Sequence, residues 1–301
     1  MRKLLTYFTF LLLLLLTACG GGEEPANESQ GEENNTKNTE EVFKIGAIPD
    51  QNAAELSRSM GGVAEYLQEE TGLTVEYVPS VDYAALVTAF ERGEIHLAWF
   101  GGLTGVQAMS LVEDAEAIAQ RPRDEEFHSV FIAQKELGLK GIEDIKGHSF
   151  TFGSESSTSG HLMPRYFLME NGIDAENDLD GAPNYSGSHD KTYKLVEAGT
   201  FQTGALNEAV WETAVAEGTV DTNKVEVFYE TPAYYDYNWT INAVDPVFGE
   251  GTKDKVKEAL LSMGEEQQEI LDLFATDKFI ETSNENYAAI EKVAKELGII
   301  K

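Results

Sequence analysis

Cysteine occurs once in the 301 residues, at Cys19. No intramolecular disulfide can form, no cysteine-built metal site is available, and a packed core must hold the fold. Basic residues are scarce too. Lys and Arg total 22 against 53 Asp and Glu, a formal charge of −31. That balance argues against nucleic acid as a partner, which needs a basic face, and against broad adhesion to anionic lipid heads. A small anion is still admissible, because local donors outweigh a distant field that salt screens. Enzyme signatures are missing: there is no G-x-S-x-G elbow, no H-E-x-x-H, no P-loop and no G-x-G-x-x-G. Carboxylates are so abundant that a pair of them carries no information. No cofactor and no metal is expected.

Long apolar runs are confined to Leu4–Leu16, which follows the positive Met1-Arg2-Lys3. Charge, a short greasy core and the small residues of Leu16-Thr17-Ala18-Cys19-Gly20 describe a secretory leader, too short for a good membrane span. The cysteine at that place resembles the lipidation site of bacterial lipoproteins. Residues 1–18 are therefore expected to be a signal peptide. Gly20–Glu41 is rich in Gly, Glu, Asn, Ser and Thr. It cannot form a core, so 19–41 reads as a lipidated cysteine with a flexible acidic tether.

From Val42 onward strands and helices alternate. Val42–Pro49, Thr74–Val78 and Ile95–Phe100 read as strands. Leu56, Met60, Val63 and Leu67 share a helix face, as do Tyr83, Leu86, Val87 and Phe90. Ser149–Gly153 and Val225–Tyr229 resume the pattern as strands, with a helix over His161–Glu170, and the C-terminus is helical. This is the pattern of βα units with a mainly parallel sheet and helices on both faces. Two extended apolar stretches, Phe127–Gln134 and Asn238–Ala243, bracket a middle block. They predict two α/β lobes, 42–128 plus 239–301 and 129–238, joined by a two-strand hinge. Ligands of such folds sit beyond the carboxyl ends of the strands, at helix N-termini.

Candidate site residues gather at those ends. After the strand ending near Gly153, "SESSTSG" places four hydroxyl residues in the six positions Glu155–Gly160. Pro164 must lie near the first helical turn, so the helix should not begin much before Gly160. Ser157, Thr158 and Ser159 then meet free N–H groups and a partial positive charge, a place for an oxyanion without Lys or Arg. Simple N-capping would need only one of them. "NYSGSHDK" sets His189 ahead of another helix, where it caps the helix or donates to an anion, best when protonated. "TPAYYDYNW" surrounds Asp236 with aromatics. It suits a cleft wall in which Asp236 accepts from a ligand or orients Tyr235, or else plain packing at a hinge. Trp99 and Gly101 end a strand where backbone can approach a ligand. Tyr83 opens its own helix, and Asp50 follows the first strand.

Those stretches, with "IPDQNAAEL", "DYAALVTAFERGEIHLAWFGG" and "GALNEAVWE", resemble the substrate-binding lipoproteins of phosphonate-type ABC importers, and most nearly the branch described as selenate-binding. The resemblance covers Val42–Lys301. It implies a type II periplasmic-binding-protein fold whose lobes close on a tetrahedral oxyanion or small phosphonate: phosphonate, phosphite, phosphate or selenate. It implies oxyanion contacts from Ser157, Thr158, Ser159, Gly160, Tyr83 and His189. Acidic grips for a ligand amino group fall near Asn207-Glu208 and at Asp236. A permease with its ATPase is the implied partner, the protein itself being a monomer held outside the cytoplasm by the lipid on Cys19. The sequence departs from the family at Phe127-His128, where an aromatic hydroxyl is usual, and at Trp99, whose bulk is expected to narrow the cleft and favour a compact ligand. A sulfonate or organic-anion receptor, a serine hydrolase using Ser157 or Ser159 with His161 or His189, and a sensory or structural lipoprotein are the rival readings.

Overall fold

The computed structural model describes residues 41–301. The leader, Cys19 and the tether up to residue 40 lie outside the described residues. None of the described helices is long and apolar enough to cross a membrane.

The strands are β1 (Phe43–Ala47), β2 (Val75–Tyr77), β3 (Leu97–Phe100), β4 (Glu116–Gln120), β5 (Ser129–Gln134), β6 (Phe150–Phe152), β7 (Asn184–Tyr185), β8 (Thr203–Asn207), β9 (Val225–Glu230), β10 (Asn238–Ile241) and β11 (Ile280–Glu281). They form two sheets. One has the order β11-β4-β10-β3-β1-β2, the other β7-β6-β8-β5-β9. The first takes its strands from both ends of the described chain and the second from the middle.

The expected mainly parallel sheet is corrected by the strand directions. β1 pairs in parallel with β2 and β3, and β6 with β7 and β8. β10 runs antiparallel between β3 and β4, and β5 antiparallel between β8 and β9. The cause is the double crossing of the chain. β5 and β10 each enter their sheet from the hinge, so each runs away from the cleft, against the βα strands that run toward it.

Local chemistry explains the elements that carry the site. The helix Ala53–Thr71 is capped by Asn52, whose side chain accepts from the N–H groups of Ala54 and Glu55, and it ends at left-handed Gly72. Its buried stripe is Leu56, Met60, Val63 and Leu67. A side chain at Gly62 would press on Ile270, so that glycine admits the helix Gln268–Leu273 close by. In β5 alternation is clean. Val130 and Ile132 join one apolar cluster with Tyr193, Leu206 and Trp211, while Phe131 joins another with Phe150, Phe152 and Leu168. The second sheet is therefore covered on both faces. Leu162 and Met163 leave both of those clusters and pack into the core of the first sheet. The helix start of the second lobe is thus buried against the first.

Candidate functional site

The loop after β6 starts its helix earlier than Pro164 suggested. Ser157 is the N-cap, and its hydroxyl accepts from the Gly160 N–H at 2.9 Å. A wide π-type turn runs Thr158–Leu162, with Leu162 N–H donating to Ser157 O, and the α-helix Met163–Glu170 continues it. Proline lacks an N–H, so the carbonyls of Ser159 and Gly160 lose their intrahelical donor. Others serve them. The Ser129 hydroxyl donates to Ser159 O at 2.8 Å, and the Gly153 N–H to Gly160 O at 2.8 Å. The proline stitches the helix start to β5 and β6. The N–H groups of Thr158, Ser159 and His161 precede the first bond of the turn and have no intrahelical acceptor.

Across the cleft the two lobes touch directly. The Leu103 N–H donates to Thr158 Oγ1 at 2.9 Å, and the His189 N–H to Asp50 O at 2.9 Å. The Gly102 N–H donates to Asp236 Oδ1 at 2.9 Å. Gly101 suits this approach, because a Cβ would crowd Thr158 Oγ1 at 3.1 Å and Asp236 Oδ1 at 3.3 Å. A second chain of bonds closes the other side. Asn207 Nδ2 donates to the Tyr237 hydroxyl at 2.9 Å, and Tyr237 donates to Asp50 Oδ2 at 2.8 Å. The Asn207 N–H faces His189 Nδ1 at 3.3 Å. All these side chains are buried.

Three polar atoms of this buried chamber have no protein partner: Asp50 Oδ1, Asp236 Oδ2 and the Tyr83 hydroxyl, beside Ser157. Such orphans are costly unless something else satisfies them. Burial pushes Asp50 up to about 6, partly offset by the Tyr237 hydrogen bond. It pushes Asp236 up to about 7, against the Gly102 N–H and the hydroxyls of Thr158 and Ser159. It holds His189 down to about 4. That imidazole is neutral at pH 7, and with Nδ1 accepting from Asn207 its proton sits on Nε2. His189 is thus a neutral donor, where the sequence suggested that protonation would serve best.

Ser157, Thr158, Ser159, Gly160, His189, Tyr83, Gly101, Asn207 and Asp236 are all brought to this chamber. Three other candidates have partners outside this set, although Trp99 also lines the cavity that Asp50, Asn207 and Tyr237 border. Trp99 lies within β3, facing the sheet, and its ring stacks on Tyr237 at 5.4 Å among Trp239, Phe274 and Phe279. It buttresses the chamber from behind Tyr237. Tyr235 packs against Tyr287. Glu208 pairs with Arg123 at 3.4 Å. Two members had little or no sequence signal. Asp50 was a lone carboxylate after a strand, and Tyr237 was one tyrosine among three neighbours.

Neither histidine of the hydrolase reading is placed as a base for Ser157 or Ser159. His161 Nδ1 meets Glu155 O at 2.7 Å, and its Nε2 accepts from Arg165 Nε at 2.9 Å. His189 Nδ1 is turned to the Asn207 amide. Among the described residues no group of three His, Cys, Asp or Glu side chains is arranged to hold a metal ion.

The profile of a family described as ABC transporter, phosphonate, periplasmic substrate-binding protein matches residues 45–287. The chain is 40% identical over 270 residues to the protein named Probable ABC transporter phosphite binding protein PhnD1 of Prochlorococcus marinus (strain MIT 9301), covering 86% of this chain and 91% of that one. A solved structure of PhnD1 from that organism, in complex with methylphosphonate, superposes with a TM-score of 0.83 at 38% identity, over 86% of this chain and 99% of that chain. The Phosphate-import protein PhnD of Mycolicibacterium smegmatis (strain ATCC 700084 / mc(2)155) is 26% identical, over 72% of this chain and 70% of that one. With a two-sheet fold, a buried polar chamber at the hinge and a family match over most of its length, this chain belongs to the periplasmic substrate-binding proteins of phosphonate ABC transporters.

Proposed function

We propose that the protein captures a small phosphorus oxyanion bearing a hydrogen or one short substituent, phosphite or methylphosphonate first, and presents it to a membrane permease driven by an ATPase. One observation carries the reading. Two buried carboxylates, Asp50 and Asp236, each keep an unpartnered oxygen in the chamber that holds the hydroxyl-rich helix start. Donors for the anion come from Tyr83, Ser157, Ser159 and the free amides, while His189 Nε2 faces the Tyr237 hydroxyl at 3.4 Å. Fixed donors in a dry site bind more strongly than the same groups in water. The carboxylates add acceptors for a ligand O–H. A phosphoryl group keeps its last proton to about pH 6, close to where both carboxylates titrate. Sulfate, selenate and organic sulfonates have no such proton to give. The selenate and sulfonate alternatives are therefore disfavoured, and a compact chamber follows from the aromatic wall that Trp99 supports. The relatives' names support the same class of ligand.

Cys19 after Leu16-Thr17-Ala18 supports a lipid anchor, with residues up to 41 as the tether. Residues 42–128 with 239–301, and 129–238, are the lobes that close.

Thermal unfolding of the purified protein, first stripped of bound ligand, tests the ligand class. Phosphite or methylphosphonate at about 100 times its dissociation constant should stabilise by about 2.7 kcal/mol. Sulfate and selenate should not. Stabilisation by selenate alone would reverse the assignment.

Thr158 has a second task in this scheme, since its hydroxyl joins the lobes through Leu103. Thr158→Val keeps the shape and strands a buried N–H, at a cost of about 1–3 kcal/mol. Calorimetric titration with methylphosphonate should show affinity lowered by at least fivefold. Unchanged affinity would remove Thr158 from closure.

A further inference from the structure

A cavity of about 230 Å³ lies against the chamber. Its outer rim includes the exposed Glu55, Arg58 and Glu217, and its floor includes Asp50, Asn207 and Tyr237. Those three floor residues are the ones linked by hydrogen bonds along one side of the chamber. We infer that the Asn207–Tyr237–Asp50 chain is the partition that limits the length of the ligand's substituent, and that the cavity outside it accepts a two- or three-carbon cationic substituent once the partition is shortened. The inference rests on the oxyanion ligand proposed above.

The partition has no slack. Asn207 uses both ends of its amide, Nδ2 on Tyr237 and Oδ1 accepting from the Val210 N–H at 3.0 Å. Tyr237 is fixed by its hydroxyl, by the Trp99 ring and by the Arg121 guanidinium 4.8 Å from its ring. Arg121 is itself tied to Asp124 at 2.7 Å. Asp50 is held by Tyr237 on one oxygen and by burial throughout. No member can swing aside without losing a buried bond, so a substituent long enough to reach them meets a wall. Beyond it there is space. At about 30 Å³ for each water, the cavity holds roughly seven, enough for a short aminoalkyl chain. Its charge decides the rest. Glu55, Glu217 and Asp272 line it against Arg58, with Arg121 already paired. An ammonium is favoured there over a carboxylate.

The test is the ratio of dissociation constants for 3-aminopropylphosphonate and methylphosphonate, measured by calorimetry on the protein and on Asn207→Ala. The intact protein should prefer methylphosphonate. Asn207→Ala should move the ratio at least tenfold toward the aminopropyl ligand, and should move it less for 2-carboxyethylphosphonate. Tyr237→Leu provides the same opening by another residue if the first variant does not fold. A ratio unmoved within twofold in the folded variants overturns the partition, as does an intact protein that binds both ligands equally. Failure of the intact protein to bind methylphosphonate or phosphite at all overturns the proposed ligand instead.

Discussion

Asp236→Asn is expected to lower affinity for methylphosphonate by about a hundredfold and to narrow the gap between phosphite and sulfate. The substitution is nearly isosteric. Asn can keep its oxygen on the Gly102 N–H, now 2.9 Å from Asp236 Oδ1, so the loop at Gly101 need not move. What changes is the other atom. Oδ2 has no protein partner, and in the variant an NH₂ donor takes its place. A ligand O–H that pointed at an acceptor then meets a donor, and hydrogen bonds to charged groups are worth about 1.5–3 kcal/mol. At about 1.4 kcal/mol for each tenfold change, the upper part of that range gives the hundredfold loss. A fully ionised oxyanion gains where the protonated one loses, because the carboxylate that repelled it is gone. Titration of both proteins with methylphosphonate, phosphite and sulfate reads the effect. Equal losses for all three ligands would show that Asp236 only supports the loop, and would remove it from ligand discrimination.

The parts of this architecture that depend on neighbours in the chain were readable from the sequence. The stripe of Leu56, Met60, Val63 and Leu67 is one helix face, and "FKIGA" is a strand because its alternate large residues are apolar. The hydroxyl-rich start after β6 and His189 were readable as helix starts for the same reason. Longer-range features were not. β4 and β8 are as long as β1 but chemically mild, and nothing local marks them as inner strands. The antiparallel entry of β5 and β10 follows from two crossings of the hinge, which no window of sequence contains. The helix start at Thr158 needed the partners that replace Pro164, and one of these, Ser129, is 30 residues away from Ser159. The Tyr237–Asp50 bond joins residues 187 apart. Asp50 and Tyr237 acquire meaning only from each other, which is why the chamber's wall was invisible while its helix starts were not. Trp99 was legible in part by the same logic. Its position at a strand end was legible, but which face its ring took depended on Tyr237 and Trp239.

The same carboxylate that binds should burden the fold. Asp236 titrates near 7 in the folded protein against a usual value of 3.8. The folded state therefore holds its proton through a range in which the unfolded chain has lost it, and stability falls as pH rises from about 4 to about 7. Three decades at about 1.4 kcal/mol each give roughly 4 kcal/mol as the largest cost. The protein as a whole will conceal this. Asp50 moves the same way, to about 6, but His161 and His189 are held down to about 4. Those imidazoles resist protonation in the fold, so their contribution is lost as pH falls through the same interval. These upward and downward displacements oppose one another between pH 4 and 6, so the slope of the whole protein does not isolate Asp236. Asp236→Asn removes one member of the set and exposes it. The ligand-free variant should equal the protein near pH 4 and exceed it by a few kcal/mol at pH 8, a gain of several degrees in Tm, while binding methylphosphonate more weakly. Thermal unfolding of both proteins across that range, without ligand, decides it. A difference that does not grow with pH would mean that Asp236 is ionised in the fold at no cost, and the acceptor would then be a fixed charge with no proton to share.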